Sequence, residues 1–136
     1  MDRCMKLFLQ NTMYYERTDE KMDDFLNRLF KEDPGFETLS VYEFSFSDEG
    51  LKLANTENGM KFGPPSLEPQ KDPCPGKSLK LAEGSYLFSQ MPIPENEAEA
   101  KRLLMPFVRN AMQGKVFVRF YKENILECVM QFFLPL

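Results

Sequence analysis

The sequence contains no histidine and no tryptophan. Without histidine it has no Ser-His-Asp or Cys-His nucleophile pair and no imidazole-ligated metal. Any acid–base chemistry falls to carboxylates, Lys, Tyr or Cys, and no metal or cofactor is expected. Cysteine is scarce. Cys4, Cys74 and Cys128 are odd in number and lack a CxxC spacing, which reads as reduced thiols and predicts a cytoplasmic protein. No window approaches the ~18 apolar residues of a membrane span, and the start, "MDRCMKLFLQNTMYYE", lacks the apolar run of a signal peptide. Clustered positive charge is missing too. Scattered Lys and Arg (17, against 21 Asp and Glu) leave a net charge of −4, which argues against a nucleic-acid partner.

What is present is material for a core: 43% hydrophobic residues, 13 of them Phe, in a length of 136 that suits one domain. Two amphipathic helices are predicted. In the first, Met22, Phe25, Leu26, Leu29 and Phe30 form one stripe, with Thr18 as N-cap and Asp33-Pro34-Gly35 as the stop. In the second, Ala100, Leu103, Leu104, Phe107 and Val108 form the stripe, Asn96 caps it and Gly114 ends it. Pro106 inside the pattern predicts a kink or a break, since an interior proline costs ~3 kcal/mol.

Strand patterns flank both helices. "CMKLFLQ" and "GSYLFSQ" precede them, and "LSVYEFSF" and "KVFVRFY" follow. Each following strand meets a three-residue turn, 48–50 or 122–124, and returns as "LKLAN" or "ILECVMQFFLPL". The reading is an α+β domain of tandem βαββ repeats, forming one curved antiparallel sheet with two helices on one face. Residues 1–54 are the first unit and 79–136 the second. Between them, 55–78 contains "FGPPSLEPQKDPCPGKS", whose prolines cannot donate ladder bonds and favour extended backbone. It reads either as a passive linker or as a flap.

Strand alternation then sorts the side chains. In the last hairpin Arg119 is expected opposite Glu127. One face holds Val116, Val118, Phe120, Leu126, Cys128, Met130, Phe132 and Leu134, all apolar, and should cover the helices. The other mixes rings, charges and amides. In the earlier strands Leu7, Leu9, Leu87, Tyr42, Phe44 and Phe46 are expected to pack, while Phe8, Tyr86, Phe88, Val41 and Glu43 fall on the mixed face. In "LKLAN" the leucines run against this pattern, which suggests a bulge or an edge. A sheet face rich in Phe and Tyr with few charges implies contact with something: a small ligand, a second subunit or the proline-rich segment.

The repeated unit, the stretch Gly84-Ser85-Tyr86 and the ending Leu134-Pro135-Leu136 resemble the gyrase-inhibitor-like ligand-binding domain, the effector-binding module of multidrug-responsive transcription regulators. The resemblance implies a groove on the open side of the sheet, lined by aromatics around an acidic residue that serves as counter-ion for cationic drugs. In that family the acid lies in a strand of Phe-Glu-x-Tyr type. The matching stretch here is Val118-Arg119-Phe120-Tyr121, where Tyr121 carries over and Arg119 replaces the acid, favouring an anionic group instead. With no room for a DNA-binding helix pair before Cys4, a stand-alone member is expected.

The leading expectation is a small-molecule-binding protein, monomer or homodimer, whose site is Phe8, Glu43, Tyr86, Phe88, Phe117, Arg119, Tyr121 and Glu127. The alternative is a protein-interaction or inhibitor module acting on a protein partner through the same face. A third reading is a histidine-free hydrolase or isomerase with Glu43 or Glu127 as base and Tyr86 or Tyr121 as acid. Cys74, between prolines, has no evident activating base and reads as a loop thiol.

Overall fold

The computed structural model describes residues 4–61, 72, 76–109, 111, 113–122, 124 and 127–136. Most of the proline-rich stretch, and with it the choice between linker and flap, lies outside the described residues, as does Cys74. The elements are β1 (Met5–Leu9), β2 (Met13–Arg17), α1 (Met22–Leu29), β3 (Glu37–Ser47), β4 (Gly50–Lys61), β5 (Ser78–Leu81), β6 (Gly84–Pro92), α2 (Glu97–Val108), β7 (Gln113–Lys122) and β8 (Cys128–Pro135). They form one antiparallel sheet in the order β1-β6-β8-β7-β3-β4-β2-β5. The class is α+β, as read from the sequence. β4 runs on through 55–61, which the sequence reading assigned to the linker.

That order describes a curled sheet that comes back upon itself. β1 and β2 are successive pieces of one stretch of chain, and β5 and β6 of another. The two stretches pair from Met5↔Phe88 through Leu9↔Gly84, then from Met13↔Leu81 through Glu16↔Ser78. The other edge of β2 meets β4 at Glu16↔Met60 and Arg17↔Gly59. Backbones crowd at this seam. A Cβ on Gly59 would lie 2.8 Å from the Tyr15 Cβ and 3.1 Å from the Glu16 carbonyl oxygen, so only glycine fits there without displacement.

Both helices pack on the outer side of the curl. Met22, Phe25, Leu26 and Leu29 from α1, and Ala100, Leu104, Phe107 and Val108 from α2, share one core with Tyr42, Phe44, Val116, Val118, Phe120, Met130 and Phe132. The facing expected of the last hairpin is therefore present for its described residues, Leu126 lying outside them. Phe30 closes the first stripe in the sequence reading, but it is the C-cap of α1 and is exposed. The first helix begins three residues later than a Thr18 cap implies. Thr18 Oγ1 accepts the Glu20 amide at 3.1 Å in a turn ahead of the helix, and Asp24 accepts the Lys21 amide at 2.9 Å. Asn96 does cap α2, accepting the Glu99 amide at 2.9 Å. α2 neither breaks at Pro106 nor reaches Gly114. It ends at Val108, with the proline in its last turn, and Gly114 lies in β7.

Two register corrections follow. The first hairpin has a two-residue loop, since Ser47 pairs with Gly50, whose φ of 105° supplies the left-handed residue the turn needs. A one-residue change reverses the facing of the returning strand, so Leu51 and Leu53 pack toward the helices after all. In the last hairpin Arg119 pairs with Gln131, not Glu127. That displacement is four residues, an even number, so facing survives while the partner changes.

Candidate functional site

The mixed face lies on the inside of the curl and forms a second core. Tyr15, Leu39, Val41, Leu79, Leu81, Tyr86 and Phe133 are buried there, with Leu7, Leu9, Met13, Phe88 and Phe117 packed against them. Three residues of the expected site meet here around Phe133. Phe88 and Tyr86 lie 5.1 and 5.7 Å from its ring, and Tyr86 stands edge-on to Phe117 at 6.5 Å. Such ring pairs contribute ~0.5–1.5 kcal/mol beyond burial. The Tyr86 hydroxyl donates to the Ala82 carbonyl, and burial raises its pKa. Phe8 is elsewhere. β1 pairs with β6 so that Leu7 opposes Tyr86 and Leu9 opposes Gly84, which turns the leucines inward and leaves Phe8 outside, 65% exposed.

One end of this inner core is closed by a polar network. Glu37, 1% exposed, receives two hydrogen bonds from the Arg119 guanidinium, each of 2.8 Å. It also accepts the Tyr15 hydroxyl, and Lys61 Nζ stands 3.6 Å away. Arg119 donates to Gln131 at 2.7 Å, and Gln131 donates to Gln90 at 2.8 Å. The guanidinium lies over the Tyr121 ring at 4.5 Å. Burial alone would raise the Glu37 pKa, but Arg119, Lys61 and Tyr15 outweigh it and hold the carboxyl below its usual range. Burial likewise opposes the charge on Arg119, and Glu37 overcomes it, raising its pKa. Burial and the neighbouring carboxylate push the Tyr15 phenol well up, so the pair is carboxylate with guanidinium and the phenol stays neutral.

Arg119 and Tyr121 are thus together, as the sequence reading has them, but the guanidinium is committed to Glu37 and Gln131 rather than directed at a ligand. Glu37 was not among the expected residues. Its available signal is parity: in β3 it alternates with Leu39, Val41 and Glu43 on the inner side, across β7 from Tyr121.

Among the described residues the opposite end of the inner core is open. A hollow of about 340 Å³ has Val41, Leu79 and Phe117 as its apolar floor, and Arg17, Glu57, Lys80 and Lys115 around it. Arg17 bridges to Glu57 at 3.1 Å and donates to the Ser78 carbonyl at 3.4 Å, so it is held in place. Glu43 is just outside, half exposed, 3.9 Å from Lys115. A larger hollow of about 610 Å³ shares Arg17 and Glu57 but is walled wholly by polar residues of 17–21 and 55–58. Glu127 is exposed at the far hairpin, its amide donating to Asn124 at 2.9 Å.

The expected residues therefore divide. Phe117, Phe88 and Tyr86 are joined in the inner core, Arg119 and Tyr121 at its closed end, and Glu43 beside its open end, while Phe8 and Glu127 lie apart from all of these. Glu127 and Tyr121 do not form an acid–base pair. Among the described residues no three of Cys, Asp and Glu come together in an arrangement that would hold a metal, and no helix is long and apolar enough to cross a membrane. No protein-family model matches the chain, and no curated protein sequence is significantly similar to it.

Proposed function

We propose that the chain is a small-molecule-binding protein whose ligand enters the curled sheet at its open end. The observation that carries this is the hollow above Phe117. Its volume, about 340 Å³, lies within the ~300–1,000 Å³ of typical ligand clefts. It combines an apolar floor with a few placed polar groups, the composition such clefts use. A ligand ring seated on Phe117 would extend the edge-to-face series that already runs through Tyr86 and Phe133.

The same reading takes the two halves as a tandem duplication. In each, two strand pieces precede a helix and two strands follow, which supports duplication of a βαββ unit whose leading strand is interrupted. It also keeps the gyrase-inhibitor-like domain as the proposed relative, on the strength of the repeat, the two helices and the inward aromatics. Its cationic ligands are not carried over, because the buried acid here, Glu37, is already neutralised by Arg119. A cytoplasmic location is proposed from the three cysteines, odd in number and without a CxxC spacing.

The chain has no tryptophan, so Phe117→Trp introduces a single reporter at the floor. A metabolite panel is screened by thermal unfolding of the natural chain and by emission of that indole. A true ligand raises the melting temperature, by ~2.7 kcal/mol of stabilisation at a hundredfold excess over Kd, and shifts the emission. A panel that moves neither signal overturns the reading.

A further inference from the structure

We infer that the ligand of this opening is a short extended peptide, held by main-chain pairing along the edge of β5. The inference rests on the small-molecule reading above and names the class of ligand. Charge does not select it. Arg17 is paired with Glu57 at 3.1 Å, and Lys115 stands 3.9 Å from Glu43. Lys80 is turned to the outer face, 5.9 Å from the Tyr14 ring centre, since Leu79 and Leu81 on either side of it point inward. The feature left is backbone. Ser78, Leu79 and Lys80 all line the hollow, yet successive side chains of a strand point to opposite faces. Three consecutive residues border one space only along the edge of their strand, so β5 presents main chain there. Among the described residues Leu79, Lys80 and Leu81 pair with β2 alone. Residues of an antiparallel pair bond to their partner alternately, so alternate N–H and C=O groups of these three point away from β2. Such an edge is a template for another strand.

The place of this edge in the sheet sets how a peptide would lie. β5 and β6 are successive pieces of one stretch, paired on one side with β2 and β1. On the other side of β6 runs β8, antiparallel, as far as Tyr86↔Pro135, and the Leu136 amide still donates to the Ser85 carbonyl at 3.1 Å. A peptide on the edge of β5 would continue the line of β8, antiparallel to β5. β7 leaves room for it. Its residues 113–116 pair with β3, whereas its ladder with β8 starts at Phe117↔Phe133. β5 is four residues long, so a peptide of about four residues matches it. Main-chain bonds to the edge would supply affinity, and the alternate side chains that face inward would rest on Val41 and Phe117 and supply selectivity for apolar residues.

The test uses N-acetylated, C-amidated tetrapeptides Thr-Xaa-Thr-Xaa, with Xaa as Val, Leu, Phe or Tyr, titrated into the natural chain and into Phe117→Trp. The tightest is remade with N-methyl groups at its first and third residues, and again at its second and fourth. Methylation removes the donors of one edge and leaves every side chain in place. At least one analogue is expected to bind about tenfold more weakly than the parent. In the natural chain, at least one amide among residues 79–81 is expected to exchange its hydrogen about tenfold more slowly with the parent bound. Two analogues as tight as the parent, no added protection at 79–81, or no peptide binding while a metabolite of the panel still binds overturns the peptide assignment and leaves the site standing. If neither peptides nor panel compounds move the melting temperature or the indole emission, the site reading falls with it.

Discussion

The two cores of this protein are made by the same strands and differ in how they are sealed. The outer core is covered by two helices, and its strand residues, from Tyr42 to Phe132, are nearly all apolar. Among the described residues the inner core has no covering element. It is sealed by the curl of the sheet itself, with a buried ion pair at one end and an opening at the other. A face sealed by another element can be uniformly apolar. A face sealed by curvature ends in two mouths, and each mouth must meet water. Here one mouth meets it through Glu37, Arg119, Gln131 and Gln90, and the other through Arg17, Glu57 and Lys115.

Neighbouring residues on β8 test whether the inner face is a core in the same sense as the outer. Phe132 is fully buried among the helices, and Phe133 is 2% exposed inside the curl. Each truncated to alanine should cost ~3–5 kcal/mol by urea denaturation, the range for large-to-small changes in packed interiors. If Phe133→Ala cost less than about 1 kcal/mol while Phe132→Ala behaved as expected, the inner face would be a hydrated groove and the comparison would break.

Most of the outer core was legible in the sequence because it depends only on parity and helical period. Parity also explains which errors mattered. The last hairpin was displaced by four residues, so the paired side chains that are described kept their face and the Arg119–Glu127 pairing was lost. The first was displaced by one, so Leu51 and Leu53 looked misplaced when they were not. The inward turn of Leu7 and Leu9 was not legible, because it depends on pairing with residues some eighty positions away in β6. Nor was the curl. Alternation gives a mixed face but does not say whether that face meets solvent or closes on itself. Glu37 was missed for the same reason: its partners come from β2, β4 and β7, and only closure of the sheet assembles them.

The closed end provides a sharper test of how charge is tolerated there. Arg119→Met leaves the Glu37 carboxylate buried with only Lys61 and Tyr15 beside it. A loss of about 3 kcal/mol is expected, as for other buried pairs broken on one side. Glu37→Leu/Arg119→Met removes both charges and should be more stable than the single variant, because no unpaired charge remains. A double variant no better than Arg119→Met would mean that the network holds the fold through its hydrogen bonds rather than through charge balance.

Titration distinguishes the two cores without altering their packing. The outer core has no carboxylate in its apolar set, whereas the inner is sealed by Glu37, whose folded pKa lies below the usual 4.5. A depressed carboxyl pKa means that the unfolded chain binds the proton more readily. The stabilisation from Glu37 is therefore fully present above about pH 4.5 and is lost as pH falls through the folded value. Tyr15 acts at the other extreme. Its raised pKa means that stability is present below pH 10 and declines above it. Urea denaturation from pH 5.5 down to 3 should show a shallower decline for Glu37→Gln than for the natural chain. Other carboxylates contribute equally to both curves, so the difference between them isolates this one group. Parallel curves would mean that Glu37 takes up its proton in the folded state as readily as in the unfolded chain. The seal at that end would then be a neutral hydrogen-bonded cap, and the contrast between the two mouths would rest on the open end alone.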